Sequence, residues 1–228
     1  LGLMVFLMFN VYLTALNNEK SRSEALLLNI LPKSIATRLK DGEETIADSY
    51  EEVTVLFTDM VGFTPLSESL EPAELVKILN AYFSVFDRLT GDFDIEKIKT
   101  IGDAYFAVAG LPEKKEDHAH AMAGFALKLL EELKILNSKL NVALNLRIGM
   151  HSGQVVAGVI GRKKFTFDLW GDTVNTASRM ESHGIPGEIQ VSEQTYELLK
   201  ETHVFEARGK IDVKGKGLMR TYFLKERL

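Results

Sequence analysis

The stretch VTVLFTDMVGFT, residues 53–64, constrains this chain more than any other. Val53, Val55, Leu56 and Phe57 make a nearly continuous apolar run, the mark of a strand buried in a sheet. Asp59 stands where that run ends, and Gly62, Phe63 and Thr64 turn the chain directly after it. A buried, unpaired carboxylate costs several kcal/mol, so the fold must set something against Asp59. A strand end that opens into a glycine turn is also where ligands sit.

A counterpart lies in IEKIKTIGDAYFAVAG, residues 95–110, where two apolar runs flank Gly102-Asp103. That dipeptide is a tight-turn signal, and it puts Asp103 at the tip of a hairpin. If the hairpin lies beside the strand of Asp59, the two carboxylates converge. Close carboxylates repel and raise each other's pKa unless a cation lies between them. Carboxylate oxygens are hard ligands, so magnesium or manganese is the matching cation, and two such ions suit polyphosphate chemistry. Gly62 lets the backbone approach a ligand, and the N–H groups of Gly62, Phe63 and Thr64 can face phosphate oxygens. Taken alone, a Gly-Asp pair is simply a turn, and an Asp beside a turn can cap a helix.

The rest of the chain supports one catalytic domain with an N-terminal extension. Its 228 residues are 46% hydrophobic, carry a net charge of −5 and include no cysteine. The charge excludes an electrostatic footprint for nucleic acid, and the composition excludes disulfides and thiolate chemistry. Residues 1–18 carry no charge and are followed by Lys20 and Arg22. This pattern predicts the end of a transmembrane helix, with the following chain on the cytoplasmic side of a cell membrane. Residues 19–47 read as a helical connector, with Pro32 opening a second short helix, and residues 48–228 as the catalytic domain.

Within that domain strands are predicted at 53–59, 94–100, 104–109, 143–151, 154–160, 165–169, 188–192, 204–213 and 220–225. The stretch 143–160 reads as a hairpin. Helices are predicted at 72–90, 117–138, 172–183 and 192–201. The mixed order with adjacent hairpins favours an α+β sandwich over a doubly wound parallel sheet. Three features carry no chemistry of their own. DHAH at 117–120 opens an amphipathic helix, GRKKF at 161–165 is a basic turn, and GKG at 215–217 is too short for a phosphate loop. His151 is read as structural.

The segment FTFDLWGDTVNTASRMES, residues 165–182, is the most specific. A strand ends at Asp168, a glycine turn follows, and Asp172 reads as the N-cap of a helix. Asn175 and Arg179 are four apart and share one face of that helix. Together with FTDMVGFT, KIKTIGDAYF, RIGMHSGQVVAGVIG and KGKG, in this order, the segment resembles the class III nucleotide cyclases, most closely the bacterial membrane-anchored adenylyl cyclases. The likeness runs from about Leu28 to Phe223.

The resemblance implies a ferredoxin-like, palm-like βαββαβ core sheet with helices packed on it. It also implies conversion of ATP to 3′,5′-cyclic AMP and pyrophosphate with two divalent cations, Mg²⁺ or Mn²⁺. Its metal carboxylates fall on Asp59 and Asp103, with the backbone carbonyl of Met60 completing the shell. The base-reading pair falls on Lys99 and Asp168, the ribose-orienting Asn on Asn175, and the transition-state Arg on Arg179. Arg147 and Lys214 fall on phosphate-binding positions. Lys99 has only donors and ionised Asp168 only acceptors, which matches N1 and the 6-amino group of adenine and mismatches guanine. Guanylyl cyclases of the family carry Glu and Cys-type residues at these two places. The family's sites are shared across a dimer, and this chain carries both sets, which implies a homodimer with two equivalent sites. A guanylyl or dual-specificity cyclase, and a catalytically silent nucleotide-binding or dimerisation module, are the alternatives.

Overall fold

The computed structural model describes residues 2–161 and 164–228. Leu1, and Arg162 and Lys163 of the basic GRKKF turn, lie outside the described residues. Two compact units divide the chain, Leu1–Ala47 with Gly158–Asp168, and Asp48–Ala157 with Leu169–Leu228.

The first unit contains α1 (Gly2–Leu28) and α2 (Lys33–Lys40). Lys40 pairs with Glu24 at 2.5 Å, and α2 buries Ile35 and Ala36. Leu3, Phe6, Leu7 and Phe9 of α1 are exposed. Among the described residues no helix is long and apolar enough to cross a membrane. The transmembrane reading of residues 1–18, and the membrane anchor drawn from it, are not supported by this. Asn10, Asn17 and Asn18 dilute the uncharged run at the start of α1.

The rest of the chain is built on a single sheet. Its elements in chain order are β1 (Ala47–Val61), α3 (Phe63–Ser69), α4 (Pro72–Phe93), β2 (Glu96–Ile101), β3 (Ala104–Ala109), α5 (His118–Leu140), β4 (Asn145–Ile160), β5 (Thr166–Trp170), α6 (Asp172–Ser182), β6 (Ile189–Ser192), α7 (Glu193–Leu199), β7 (His203–Val213) and β8 (Gly217–Arg227). The sheet order is β2-β3-β1-β4-β6-β8-β7, with β5 paired to β4. The run β1-α4-β2-β3-α5-β4, with β1 between β3 and β4, is the ferredoxin-like βαββαβ arrangement.

Periodicity explains the packing. Ile78, Tyr82, Phe86 and Leu89 recur on one face of α4, and Met122, Phe125, Leu129, Leu133 and Leu136 on one face of α5. Both faces join one core with Leu56 of β1 and Leu146, Ile148 and Met150 of β4. Alternation along β4 sends Arg147, Gly149 and His151 to the other face, where α6 lies. β4 is one continuous strand, which corrects the predicted hairpin at 143–160. Its glycines make room rather than turns. A Cβ on Gly149 would lie 1.9 Å from the backbone N of Glu181, and one on Gly153 would lie 2.7 Å from Thr173 Oγ1. Gly149→Ala must therefore push α6 off the sheet. It should cost about 3 kcal/mol or more in urea unfolding, at the upper end of overpacking penalties.

A buried polar chain ties β1, β4, β6, α5 and α7 together. His118 Nδ1 lies 2.7 Å from Thr54 Oγ1, which lies 2.8 Å from Ser152 Oγ. Ser152 Oγ continues to Thr195 Oγ1 at 3.0 Å, and His151 Nδ1 lies 2.6 Å from Ser192 Oγ. His151 is thus structural, and burial pushes its pKa down to about 4 from 6.5. The unfolded chain takes up a proton near pH 6.5 that the folded chain refuses until about pH 4. Stability from this group is complete above pH 6.5 and falls by about 3 kcal/mol as pH drops through that window. His118 and His203, also lowered by burial, add with the same sign. Thermal melts at pH 7 and pH 4.5 should show the loss, and His151→Asn should flatten it.

Candidate active site

β1 and the β2–β3 hairpin bring two carboxylates together. β1 pairs antiparallel with β3 in the register Phe57↔Phe106 and Thr58↔Tyr105, which carries the end of β1 alongside the hairpin tip. Gly102 takes φ 63 there, a left-handed conformation that glycine adopts without strain. Burial raises the pKa of Asp103, its own backbone N–H offsets part of that, and the charge of Asp59 raises it again. The two acids therefore sense one another, as hairpin placement predicts. Met60, next to Asp59 on β1, buries its side chain in the core, at 2% exposure. Two hard carboxylates brought to one end of the sheet form a donor set that fits a divalent cation.

The turn after β1 has the shape its sequence predicts. Gly62 sits at φ 93 as the N-cap of α3, and the Leu66 N–H donates to its carbonyl at 3.3 Å. Thr64 is exposed and Phe63 half-buried against the core. Arg147 reaches the same end of the sheet from β4. Its Nη2 donates to Asp59 Oδ2 at 2.9 Å and its Nε to Glu181 Oε1 at 2.7 Å. Glu181, on the last turn of α6, is raised in pKa by burial and lowered by Arg147, with Asp59 and Asp103 raising it further. Sequence reading missed Glu181. The signal available was an acidic residue two positions beyond Arg179 in a segment already singled out.

On α6, Asn175 is exposed and Arg179 half-buried, one turn apart on one face. Arg179 has no ion pair among the described residues. Asp172 is not the N-cap; that position is Gly171, at φ 136, and Asp172 is the first helical residue. Its carboxylate instead pairs with Lys216 in the β7–β8 loop. Lys214, two residues earlier in that loop, is exposed.

The structure separates the lysines of β2. Lys97 Nζ is committed to Asp87 at 2.7 Å and lies 5.1 Å over the Tyr105 ring. Tyr105 donates its hydroxyl to the same carboxylate at 2.7 Å. The pairing of β2 with β3 slips between Lys97 and Lys99, a bulge of the kind that re-aims side chains beside functional sites. Lys99 is half-buried beyond the bulge. Asp168 lies on β5, half-buried, in the segment Gly158–Asp168 of the first unit.

The sequence pattern of the "Adenylate and Guanylate cyclase catalytic domain" family matches residues 45–226. A Mycobacterium bovis protein named adenylate cyclase is 49% identical over 207 residues, which is 90% of this chain and 47% of that protein. A receptor-type guanylate cyclase of Caenorhabditis elegans is 47% identical over 211 residues, covering 91% of this chain and 16% of that protein. This chain thus spans less than half the length of these two curated relatives. Among solved structures, the guanylate cyclase domain of a Catenaria anguillulae protein in complex with GTP superimposes with a TM-score of 0.77 at 40% identity, over 79% of this chain and all of that one. The carboxylate pair at the β1 and hairpin ends, the ferredoxin-like sheet and these likenesses agree, and this chain belongs to the class III nucleotide cyclase catalytic domain family.

Proposed function

We propose that this chain is an adenylyl cyclase that converts ATP to cyclic AMP and pyrophosphate, working as a homodimer with two shared sites. The convergence of Asp59 and Asp103 at one end of the sheet carries the reading. With the Met60 carbonyl they would hold the divalent cations, which lower the pKa of the ribose 3′-hydroxyl and neutralise the triphosphate when bound. In the reaction the 3′-oxygen forms a bond to the α-phosphorus while the bond to the pyrophosphate oxygen breaks.

The remaining residues position and stabilise. The amides of Gly62, Phe63 and Thr64 and the cations Arg147 and Lys214 bind the phosphate chain. Asn175 of one protomer fixes the ribose for in-line attack in the site of the other. Arg179 on the same helix face stabilises charge gathering on the α-phosphate. Lys99 donates to adenine N1 and Asp168 accepts from its 6-amino group. Guanine would leave both groups facing like partners, a mismatch that discriminates by orders of magnitude. The relatives include both adenylate and guanylate cyclases, so it is this pair that supports ATP.

The test is incubation of the protein with ATP or GTP and each of Mg²⁺ and Mn²⁺, with products identified by chromatography. Cyclic AMP from ATP, far exceeding cyclic GMP from GTP, is the expected result. Faster cyclic GMP formation would establish a guanylyl cyclase, and binding without turnover a silent module. Mixing Asp59→Ala chains with Asn175→Ala chains, each inactive alone, should restore activity in one of the two sites of each mixed dimer.

A further inference from the structure

Arg147 bonds both to a carboxylate of the proposed metal pair and to the helix that carries Asn175 and Arg179. Its Nη2 bonds Asp59 at 2.9 Å and its Nε bonds Glu181 at 2.7 Å. Gly184, just beyond α6, closes over its aliphatic stem, since a Cβ there would lie 2.9 Å from Arg147 Cγ. The Gly184 N–H donates to the Glu181 carbonyl at 2.7 Å, which fixes that cover to the helix end. Glu181 is the better shielded partner, with 13% of its side chain exposed against 30% for Asp59. A guanidinium has five N–H donors, so two directed bonds to carboxylates fix its plane and leave the Nη1 edge for a third anion.

Resting on the cyclase reading, we propose that Glu181 is a positioning residue. It holds the Arg147 guanidinium in the one orientation from which it can grip the substrate's phosphates, and it shares the positive charge that would otherwise settle on Asp59. An unanchored Arg147 would compete for Asp59 with the cations the substrate brings. One chain's Glu181 serves the site built on that same chain's Asp59, although α6 presents Asn175 and Arg179 to the opposite site. The ion pair Arg147–Glu181 therefore links, within one chain, the two half-sites that each protomer contributes.

A double-mutant cycle on the full chain tests this. In Glu181→Ala the KM for ATP should rise about tenfold, the loss of one charge-assisted bond's worth of orientation, while kcat changes less than about threefold. Glu181→Gln keeps an acceptor for the Nε–H and should recover most of the loss. In the Arg147→Met background, Glu181→Ala should add less than about a twofold change. Binding of 3′-deoxy-ATP with Mn²⁺, followed by calorimetry, should show the same pattern without turnover. If the wild type binds this analogue but makes no cyclic nucleotide, the cyclase reading fails and the binding cycle still decides the role of Glu181. In mixed dimers with one live site, Glu181→Ala should act when placed on the chain supplying Asp59 and be silent on the chain supplying Asn175. Full additivity in the cycle, no change in KM or analogue affinity, or an effect confined to the Asn175 chain would each overturn the proposal.

Discussion

Replacing Asp59 or Asp103 with asparagine should lower turnover of ATP by about 10³-fold or more, because on the proposed cyclase reading the cations that would activate the 3′-hydroxyl and neutralise the triphosphate would lose a charged ligand. The substitutions are close in shape, and both positions lie at strand ends outside the core cluster. The variants should therefore melt within a few degrees of the parent. Initial rates at saturating ATP over a wide Mn²⁺ range, with a melt on the same preparations, decide the matter. A variant that keeps its fold and more than a tenth of its turnover would show that this carboxylate pair does not hold the catalytic cations.

The second large effect concerns the base. Exchanging Lys99→Glu together with Asp168→Cys should reverse the preference from ATP to GTP, with the ratio of the two kcat/KM values moving by about 10²-fold or more. Either substitution alone should lower use of both nucleotides, because one edge of every base then faces a like partner. Lys97→Glu is the informative control. That residue is bonded to Asp87 and stacked over Tyr105, so its loss should weaken the β2–α4 contact without altering which nucleotide is preferred. Competition assays with both nucleotides in one tube read the ratio directly. An unchanged ratio in the double variant would dissociate these two residues from base recognition.

Much of this was legible in the sequence. The apolar run before Asp59, the Gly102-Asp103 turn and the 3.6-residue rhythm of α5 are local patterns, set by burial and backbone conformation within a few residues. They located the strands and helices closely and put both carboxylates at element ends. What local pattern could not decide was which neighbour each residue meets. Ser152-Gly153 looks like a turn in one dimension, yet it continues β4, because Gly153 is small to admit Thr173 of α6 rather than to bend the chain. Asp172 has the chemistry of an N-cap, but Gly171 takes that place and Lys216, distant in sequence, claims the carboxylate. The uncharged start of α1 suggested a membrane span, yet no described helix is long and apolar enough to make one. Glu181 became visible only when β4 and α6 packed closely enough for one guanidinium to touch both Asp59 and the helix end. The sequence by itself determined the elements and the acid pair, since those follow from short-range propensity and periodicity. Only the tertiary structure decided the bracing of Arg147, since an ion pair spanning 88 positions on one side and 34 on the other depends on strand order, which no local pattern encodes.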